Sequence, residues 1–137
     1  MNNIIYKVEK NLDPSEFIDV LNRSTLGERR PVSDVNRIKK MCENANLIVT
    51  ARLDGKLIGI ARSISDFVYC TYLSELAVDK EFQKKGIGKR LIEETKKQSP
   101  MAKLILLSAP AAIEYYPKIG MKKHDYCYIL DDIKELE

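Results

Sequence analysis

The sequence is poor in the residues that metal and thiol chemistry use. It contains three cysteines and one histidine in 137 residues. Cys42, Cys70 and Cys127 lie far apart and form no CxxC pair, so neither a metal-ligand spacing nor a disulfide framework is present. Free thiols in this number are typical of a reducing cytosol. We therefore predict no metal, and we interpret the cysteines as small core or strand residues, because a catalytic cysteine needs a histidine partner and His124 is the single candidate.

Long apolar runs and a strong excess of one charge are also missing. The longest aliphatic run covers Leu104 to Leu107, far short of the roughly 20 residues that a membrane helix needs. No basic segment leads into an apolar stretch at the beginning of the sequence, so we expect no signal peptide and a cytoplasmic location. Basic residues exceed acidic ones by 23 − 20 = 3, which suits an anionic small ligand better than a nucleic acid. We predict neither a membrane nor a nucleic acid as a partner.

The remaining composition is that of a globular protein. Hydrophobic residues make up 45% and charged residues 31% of the chain, which argues against disorder. A length of 137 residues is that of one domain, since domains take about 100–200 residues. We predict a single domain over residues 1–137.

Local patterns predict elements in the order β-α-α-β-β-β-α-β-α-β. Asp13 before Pro14 and Ser33-Asp34 are typical helix starts, and Asp54-Gly55 predicts a tight hairpin. The run from Leu104 to Leu107 predicts a strand that is buried on both faces and parallel to its neighbour. The predicted strands cover residues 3–7, 47–53, 57–61, 68–78, 104–107 and 122–130, and the last two helices cover 87–97 and 110–118. This order predicts an α/β fold with a mixed, mainly antiparallel, twisted sheet flanked by helices.

A glycine-containing turn between a strand and an amphipathic helix carries the chemistry of this sequence. The first N–H groups of a helix have no partner within it, and the helix dipole adds partial positive charge there. Gly86 and Gly88 lack a Cβ and let a ligand approach the main chain. Basic side chains surround the turn: Lys84, Lys85, Lys89 and Arg90. Together these features predict a phosphate site, although a helix with a solvated basic face is the alternative reading.

Two familiar phosphate motifs do not fit this turn. A Walker loop needs glycine at position 83 and serine or threonine at position 90, where this chain has Gln83 and Arg90. A dinucleotide fingerprint needs a third glycine at position 91, which is Leu91.

Residues 73–121 instead resemble the GNAT (Gcn5-related N-acetyltransferase) superfamily. The run from Gln83 to Gly88 matches the Q/R-x-x-G-x-G/A acetyl-CoA motif of that family, and Leu76-Ala77-Val78 matches the strand that leads to it. The segment from Tyr115 to Met121 is similar to the family's F-Y-x-K-x-G-F segment, with Met121 in place of an aromatic residue. The predicted element order is also that of the family.

The resemblance implies a site for acetyl-CoA as cosubstrate. In this family the strand before the motif runs alongside the pantetheine arm, and a bulge separates it from the next strand. The helix N-terminus holds the pyrophosphate, and an N–H near Leu76 polarises the thioester carbonyl. The cofactor-binding residues implied in this way are Leu76, Ala77, Val78, Gln83, Lys84, Lys85, Gly86, Ile87, Gly88 and Lys89.

Two residues are candidates for proton transfer. Tyr116 matches the family tyrosine that protonates the departing thiolate, with ordinary aromatic packing as the alternative. Ala109 stands where many members carry asparagine. An alkylamine acceptor has a pKa of about 10.4 and needs a base at neutral pH. Glu75, flanked by apolar residues in a central strand, is our candidate, because burial without a partner raises the pKa of a carboxylate. Pairing of Glu75 with a lysine, partial exposure, or a water relay are the alternatives.

These residues together predict an N-acetyltransferase. We expect direct attack by a primary amine of a small molecule or peptide on acetyl-CoA within a ternary complex, because Cys70 and Cys127 have no base nearby in the sequence. Arg29 and Arg30 are candidates for recognising an acidic acceptor, or are simply part of a solvated loop. The resemblance also allows a homodimer. A non-catalytic acyl-CoA-binding or sensor module with the same fold is the alternative function.

Overall fold

A computed structural model describes residues 3–137, which fall into two units on either side of the Leu107–Ser108 bond. The first unit contains β1 (Ile4–Val8), α1 (Pro14–Arg23), α2 (Val35–Asn44), β2 (Leu47–Leu53), β3 (Lys56–Ser65), β4 (Cys70–Val78), α3 (Ile87–Gln98) and β5 (Lys103–Leu106). The second unit contains α4 (Tyr115–Lys118). Short 3₁₀ turns cover Leu26–Arg29, Lys80–Phe82, Pro110–Ala112 and Ile133–Glu135.

The five strands form one sheet in the order β1-β2-β3-β4-β5. The pairs β1–β2, β2–β3 and β3–β4 are antiparallel, and the pair β4–β5 is parallel. Asp54 and Gly55 both have positive φ values, 50° and 83°, as a tight hairpin between β2 and β3 requires. The predicted mixed, mainly antiparallel sheet is confirmed.

The helices α1 and α2 begin where the sequence places their caps. The Asp13 carboxylate accepts a hydrogen bond from the Ser15 N–H, and Pro14 occupies the first helical position, where its missing N–H costs nothing. The Asp34 carboxylate caps α2 in the same way through the Arg37 N–H. The apolar residues of both helices join Leu12, which precedes α1, and β-strand residues in one core: Leu12, Phe17, Val20, Leu21, Ile38, Cys42, Ile48, Leu57, Ile60 and Ala77.

Helix α3 packs on the opposite face of the sheet. Its buried residues Ile87 and Leu91 belong to a second core with Leu47, Val49, Ala51, Ile58, Ala61 and Leu73. Gly59 in β3 lies directly beneath this helix. A Cβ on Gly59 would lie 3.1 Å from Leu91 Cδ1 and 3.2 Å from Ile87 Cγ2, so the missing side chain lets the first turn of α3 approach the sheet closely.

The prediction of a last strand over residues 122–130 is wrong. This segment contains no strand, and Tyr126 and Tyr128 are 77% and 91% exposed. His124 and Tyr126 instead form a local turn, in which the Tyr126 N–H donates to His124 Nδ1 at 3.0 Å. Alternating aromatic residues favour a strand only when a neighbouring strand and a packed face stabilise them. His124, Tyr126 and Tyr128 therefore do not share one face of a strand.

Three smaller expectations also need correction. The residues of β5 are only half covered, with Ile105 43% exposed, so this strand is not buried on both faces. The predicted helix over 110–118 is divided into a 3₁₀ turn and the single turn of α4. Among the cysteines, Cys42 is buried in the core, and burial raises the pKa of its thiol to about 11. Cys70 starts β4 but is exposed, and Cys127 is exposed outside any strand.

Candidate active site

The second half of β4 has no strand on one side. Pairing with β5 covers Cys70 to Leu73 and stops there, whereas pairing with β3 continues to Val78. Within the part of the chain that the structure describes, residues 74–78 of β4 therefore have no strand partner on the β5 side. An open strand edge of this kind can accept an extended amide-bearing ligand as an additional strand.

A β-bulge in β4 marks the point where the two strands separate. Ser63 pairs with Leu73 and Arg62 pairs with Glu75, so Ser74 is the extra residue opposite β3. The bulge also changes which face each side chain occupies. Leu73 belongs to the core under α3, whereas Ala77, four residues later, belongs to the core under α1 and α2. The bulge that the family resemblance implies is present in this chain.

The direction of the main-chain groups after the bulge follows from one hydrogen bond. The Asp79 N–H donates to the Ile58 carbonyl at 2.8 Å and continues the β3–β4 ladder by one pair. Because main-chain groups in an antiparallel pair alternate in direction, Ala77 also faces β3. Leu76 and Val78 therefore direct their N–H and C=O groups to the open edge. The Gln83 side-chain amide donates to the Val78 carbonyl at this edge at 2.9 Å.

Helix α3 begins immediately after the open edge and presents free N–H groups. The first bond of the helix runs from the Arg90 N–H to the Gly86 carbonyl at 3.0 Å. The N–H groups of Ile87, Gly88 and Lys89 precede it, and no acceptor within the helix is available to them. Gly86 has a φ of 83°, and a Cβ at this position would meet nothing within 4 Å. The main chain here is accessible to a ligand, as a phosphate site requires.

An ion pair fixes the segment between β4 and α3. The Arg23 guanidinium, from α1, donates to the Asp79 carboxylate and to the Leu57 carbonyl, the latter at 2.6 Å. Asp79 also accepts from the Glu81 N–H at 2.9 Å and so caps the 3₁₀ turn over Lys80–Phe82. Burial opposes the charge of Asp79, but the Glu81 N–H and Arg23 outweigh it and lower the pKa of this carboxyl.

Glu75 is buried but paired, contrary to the premise of its prediction as a base. Its side chain is 2% exposed. One carboxylate oxygen accepts from Arg62 Nε at 2.5 Å, and the other accepts from Arg30 Nε at 2.6 Å and from Ser74 Oγ at 2.8 Å. Two guanidinium groups thus occupy both of its oxygens. The expectation of an unpaired carboxylate is therefore wrong, and the partners are arginines rather than a lysine.

The two arginines considered for acceptor recognition differ in environment. Arg29 is exposed. Arg30 has a side chain 22% exposed, and its remaining donors bond to the Ser74 carbonyl at 2.8 Å and to the Arg29 carbonyl at 2.9 Å. Arg30 is thus engaged within the protein, which contradicts its interpretation as a solvated loop residue.

Arg62 and Ser74 complete this cluster, and our sequence analysis missed both. Arg62 lies opposite Glu75 in β3 and also donates to the Met41 carbonyl of α2 at 3.0 Å. An arginine within an otherwise apolar strand was the signal that could have found it, since a buried charge needs a partner. No local pattern indicated the role of Ser74, because a bulge depends on the neighbouring strands.

Tyr116 belongs to the second unit. Its ring is half-buried and meets the Tyr115 ring edge-on, with the centroids 5.2 Å apart. Burial, with a smaller contribution from Tyr115, raises the pKa of the Tyr116 phenol. A raised pKa keeps the phenol protonated at neutral pH, as a proton donor must be.

The residues of the first unit fit acetyl-CoA. The open edge of β4 provides N–H and C=O groups for an amide-bearing arm, and the start of α3 provides three N–H groups and accessible backbone for a diphosphate. Lys84, Lys85 and Lys89 are exposed beside this turn. In residues 3–137, no group of three or more histidine, cysteine or acidic side chains has a geometry that could hold a metal ion. No helix among these residues is long and apolar enough to cross a membrane.

Comparisons with known proteins identify the class of protein to which this fold belongs. A family model described as an acetyltransferase (GNAT) domain matches residues 24–134. A UPF0039 protein of Schizosaccharomyces pombe is 26% identical over 97% of this chain and 93% of its own length. An uncharacterized N-acetyltransferase of Pyropia yezoensis is 24% identical over 85% of this chain and 78% of its own length.

The same fold is found among solved structures. A GNAT-family acetyltransferase of Streptococcus pneumoniae superposes with a TM-score of 0.75 over 94% of this chain and 99% of its own, at 15% sequence identity. At this identity the likeness concerns the fold, which is the single-domain α/β GNAT fold with a five-stranded mixed sheet. The chain belongs to the GNAT acetyltransferase family.

Proposed function

We propose that this protein transfers the acetyl group of acetyl-CoA to a primary amine of a small molecule or peptide. The observation that carries the proposal is the open edge of β4 at residues 74–78, which continues directly into the free N–H groups at the start of α3. These two features match the extended arm and the diphosphate of coenzyme A in order and in chemistry. Family membership supports acetyl transfer as the reaction.

Leu76 is the proposed oxyanion donor. Its N–H group is directed to the open edge, where it can donate a hydrogen bond to the thioester carbonyl as negative charge develops on that oxygen. Removing one such donor costs about 100- to 1,000-fold in rate in enzymes that use them. The proposed order is attack of the neutral amine on the carbonyl carbon, followed by breakage of the carbon–sulfur bond within the ternary complex.

Two proton transfers accompany this step. We assign protonation of the departing thiolate to Tyr116, on the basis of its place in the family motif and its protonated phenol. Glu75 is poorly suited to remove the proton of the amine, because both of its oxygens accept from arginine. A water relay is the base that this environment favours. The cytoplasmic location and a homodimer remain predictions.

A pair of glycine variants tests the proposal. Gly86 and Gly55 have the same φ of 83° and equally open surroundings, but Gly55 lies in the β2–β3 turn. Replacing either glycine with alanine adds a similar strain of about 1 kcal/mol. We expect Gly86→Ala to weaken coenzyme A binding at least about tenfold in calorimetry, because the new methyl group occupies the approach to the α3 N–H groups. We expect Gly55→Ala to retain the affinity.

Turnover separates an enzyme from a sensor module. Acetyl-CoA consumption is measured with wild-type protein over a panel of amines that includes polyamines, amino acids, aminoglycosides and peptides. Consumption with at least one amine supports the proposal. Coenzyme A binding without turnover on any amine favours the non-catalytic module, and equal loss of affinity in the two glycine variants contradicts the placement of the diphosphate at α3.

A further inference from the structure

The clamp formed by Arg30, Arg62, Glu75 and Ser74 holds the β4 bulge from both sides. The Ser74 hydroxyl donates to Glu75, while the Ser74 carbonyl accepts from Arg30. Arg62 reaches the same carboxylate from β3. The extra residue of the bulge is thus fixed through its side chain and through its main chain at once.

The register of β4 determines which N–H group reaches the open edge. In the observed register Ala77 lies opposite Ile60 and faces β3, and Leu76 faces the edge. Without the bulge, the pairing of Ser63 with Leu73 would continue by single steps and place Leu76 opposite Ile60. The N–H of Leu76 would then donate to β3 and be lost to the thioester. A shift by one residue also turns every later side chain to the other face.

The ion pairs favour the bulged register over the regular one. In the regular register Glu75 would lie opposite Ala61, on the α3 face of the sheet, away from Arg62 and Arg30. A buried carboxylate without its arginines is strongly unfavourable. Buried ion pairs add little net stability compared with apolar residues, but they can select one arrangement over another.

We propose that Arg30 is a positioning residue of the reaction, which acts through Ser74 and Glu75 to keep the Leu76 N–H at the open edge. This inference rests on the proposed function, because the Leu76 N–H matters only if a thioester lies beside it. Arg30 belongs to the loop between α1 and α2, so the clamp joins that loop to the reacting strand. Its effect falls mainly on the chemical step, because the diphosphate is assigned to α3 and does not depend on the register of β4.

Arg30→Gln is the variant that tests the clamp. It leaves Glu75 and Arg62 as a balanced pair, so the fold is expected to persist, whereas Glu75→Gln would leave two arginines without their carboxylate. Arg37→Gln is the matched control, because Arg37 is an exposed arginine of α2. Arg30→Lys is a second variant, which keeps the charge but loses the planar fork that reaches Glu75 and Ser74 together.

Hydrogen exchange of single amides in the free protein gives a readout that does not depend on activity. We expect Arg30→Gln to lower the protection of the Ala77 amide at least about tenfold relative to that of the Val49 amide in the inner strand β2, because Ala77 loses its fixed place opposite Ile60. Arg37→Gln should leave this ratio unchanged. An unchanged ratio in Arg30→Gln, including an equal loss of protection at Ala77 and Val49, contradicts the proposal that Arg30 holds the register of β4.

Kinetics test the link to the reaction. We expect kcat to fall at least about tenfold in Arg30→Gln and in Arg30→Lys, while the Kd of coenzyme A from calorimetry changes less than about threefold. Wild-type kcat in Arg30→Lys would show that charge alone suffices and overturns the positioning role. If the wild-type protein neither binds coenzyme A nor consumes acetyl-CoA, the proposed function fails, and the Ala77 ratio still decides whether the clamp holds the register.

Discussion

At the scale of single residues, Arg23 contacts two carboxylates in very different settings. Asp79 has a side chain 5% exposed and precedes the loop that leads to α3, whereas Asp19 is 60% exposed and lies one turn away on α1. Removing the charge of a buried aspartate leaves its arginine partner unpaired and lowers stability substantially. Removing the charge of an exposed aspartate changes stability little, because surface ion pairs contribute little. The two aspartates therefore provide a matched test of how the loop before α3 is held.

We expect Asp79→Asn to lower the free energy of unfolding at pH 7 by about 1–3 kcal/mol, and Asp19→Asn by less than about 0.5 kcal/mol. Because the pKa of Asp79 is lower in the folded state, its stabilisation is present above the unfolded pKa of about 3.9 and is lost as pH falls through the folded value. Urea unfolding at pH 7 and at pH 3 measures this: the difference between wild type and Asp79→Asn should shrink at pH 3. The same difference at pH 3 as at pH 7 would show that the charge of Asp79 is not what stabilises the fold.

Tyr116 provides a second prediction at this scale. We expect Tyr116→Phe to lower kcat about 100-fold, since it removes the proposed proton donor, and to leave the Kd of coenzyme A within about twofold. The raised pKa of this phenol predicts a wild-type kcat that does not fall with pH until above about pH 10. Tyr128→Phe, at a tyrosine 91% exposed in the same unit, is the control. A wild-type kcat in Tyr116→Phe would show that water, and not Tyr116, protonates the departing thiolate.

At the scale of elements, the position of α3 depends on a residue that lies in the sheet. Gly59 leaves room for Ile87 and Leu91, and Ile87 provides one of the N–H groups assigned to the diphosphate. A methyl group here must push these side chains by a few tenths of an ångström or shift the helix.

We expect Gly59→Ala to lower the free energy of unfolding by about 1–2 kcal/mol through this crowding, although alanine suits a strand better than glycine does. Leu91→Val shortens the side chain that the new methyl group would crowd, and so relieves this contact. In a double-mutant cycle measured by urea unfolding, Gly59→Ala and Leu91→Val should couple favourably by at least about 0.5 kcal/mol. Additive effects of the two substitutions would show that the contact with Leu91 does not cause the loss of stability in Gly59→Ala.

Local chemistry made most elements predictable, and long-range contacts explain the failures. Asp13, Asp34 and Asp54-Gly55 act on their own neighbours in the chain, so the starts of α1 and α2 and the β2–β3 hairpin are confirmed. The pairing of Glu75 with Arg30 joins residues 45 positions apart, and no local pattern reports it. The segment 122–130 alternates as a strand does, but strand formation depends on a partner edge that the sequence does not specify.

At the scale of the whole molecule, the net charge of +3 is small but unevenly placed. Lys84, Lys85 and Lys89 are exposed beside the start of α3, where the diphosphate is assigned. Interactions between exposed charges are screened at high ionic strength. The affinity for coenzyme A is therefore expected to depend on salt, mainly through this cluster.

We expect the Kd of coenzyme A, measured by calorimetry, to rise about tenfold between 50 mM and 500 mM salt. The double variant Lys84→Gln/Lys85→Gln should bind more weakly at low salt and lose most of this dependence. Lys39→Gln/Lys40→Gln removes the same charge from exposed positions on α2 and is the control. The same salt dependence in both double variants would indicate that the net charge of the whole protein, and not the lysines beside α3, attracts coenzyme A.

The bulge at Ser74 has a consequence for how this chain can evolve. Removing that one codon would restore an uninterrupted ladder and keep every later pair, because Glu75 would still lie opposite Arg62 and Ala77 opposite Ile60, and Leu73 and Ala77 would stay in their two cores. A lineage that abandoned catalysis could lose its tyrosine or its lysines by single substitutions at little structural cost. It could also remove the bulge beside the open edge by this one deletion, so descendants without the reaction would not be expected to keep the cleft.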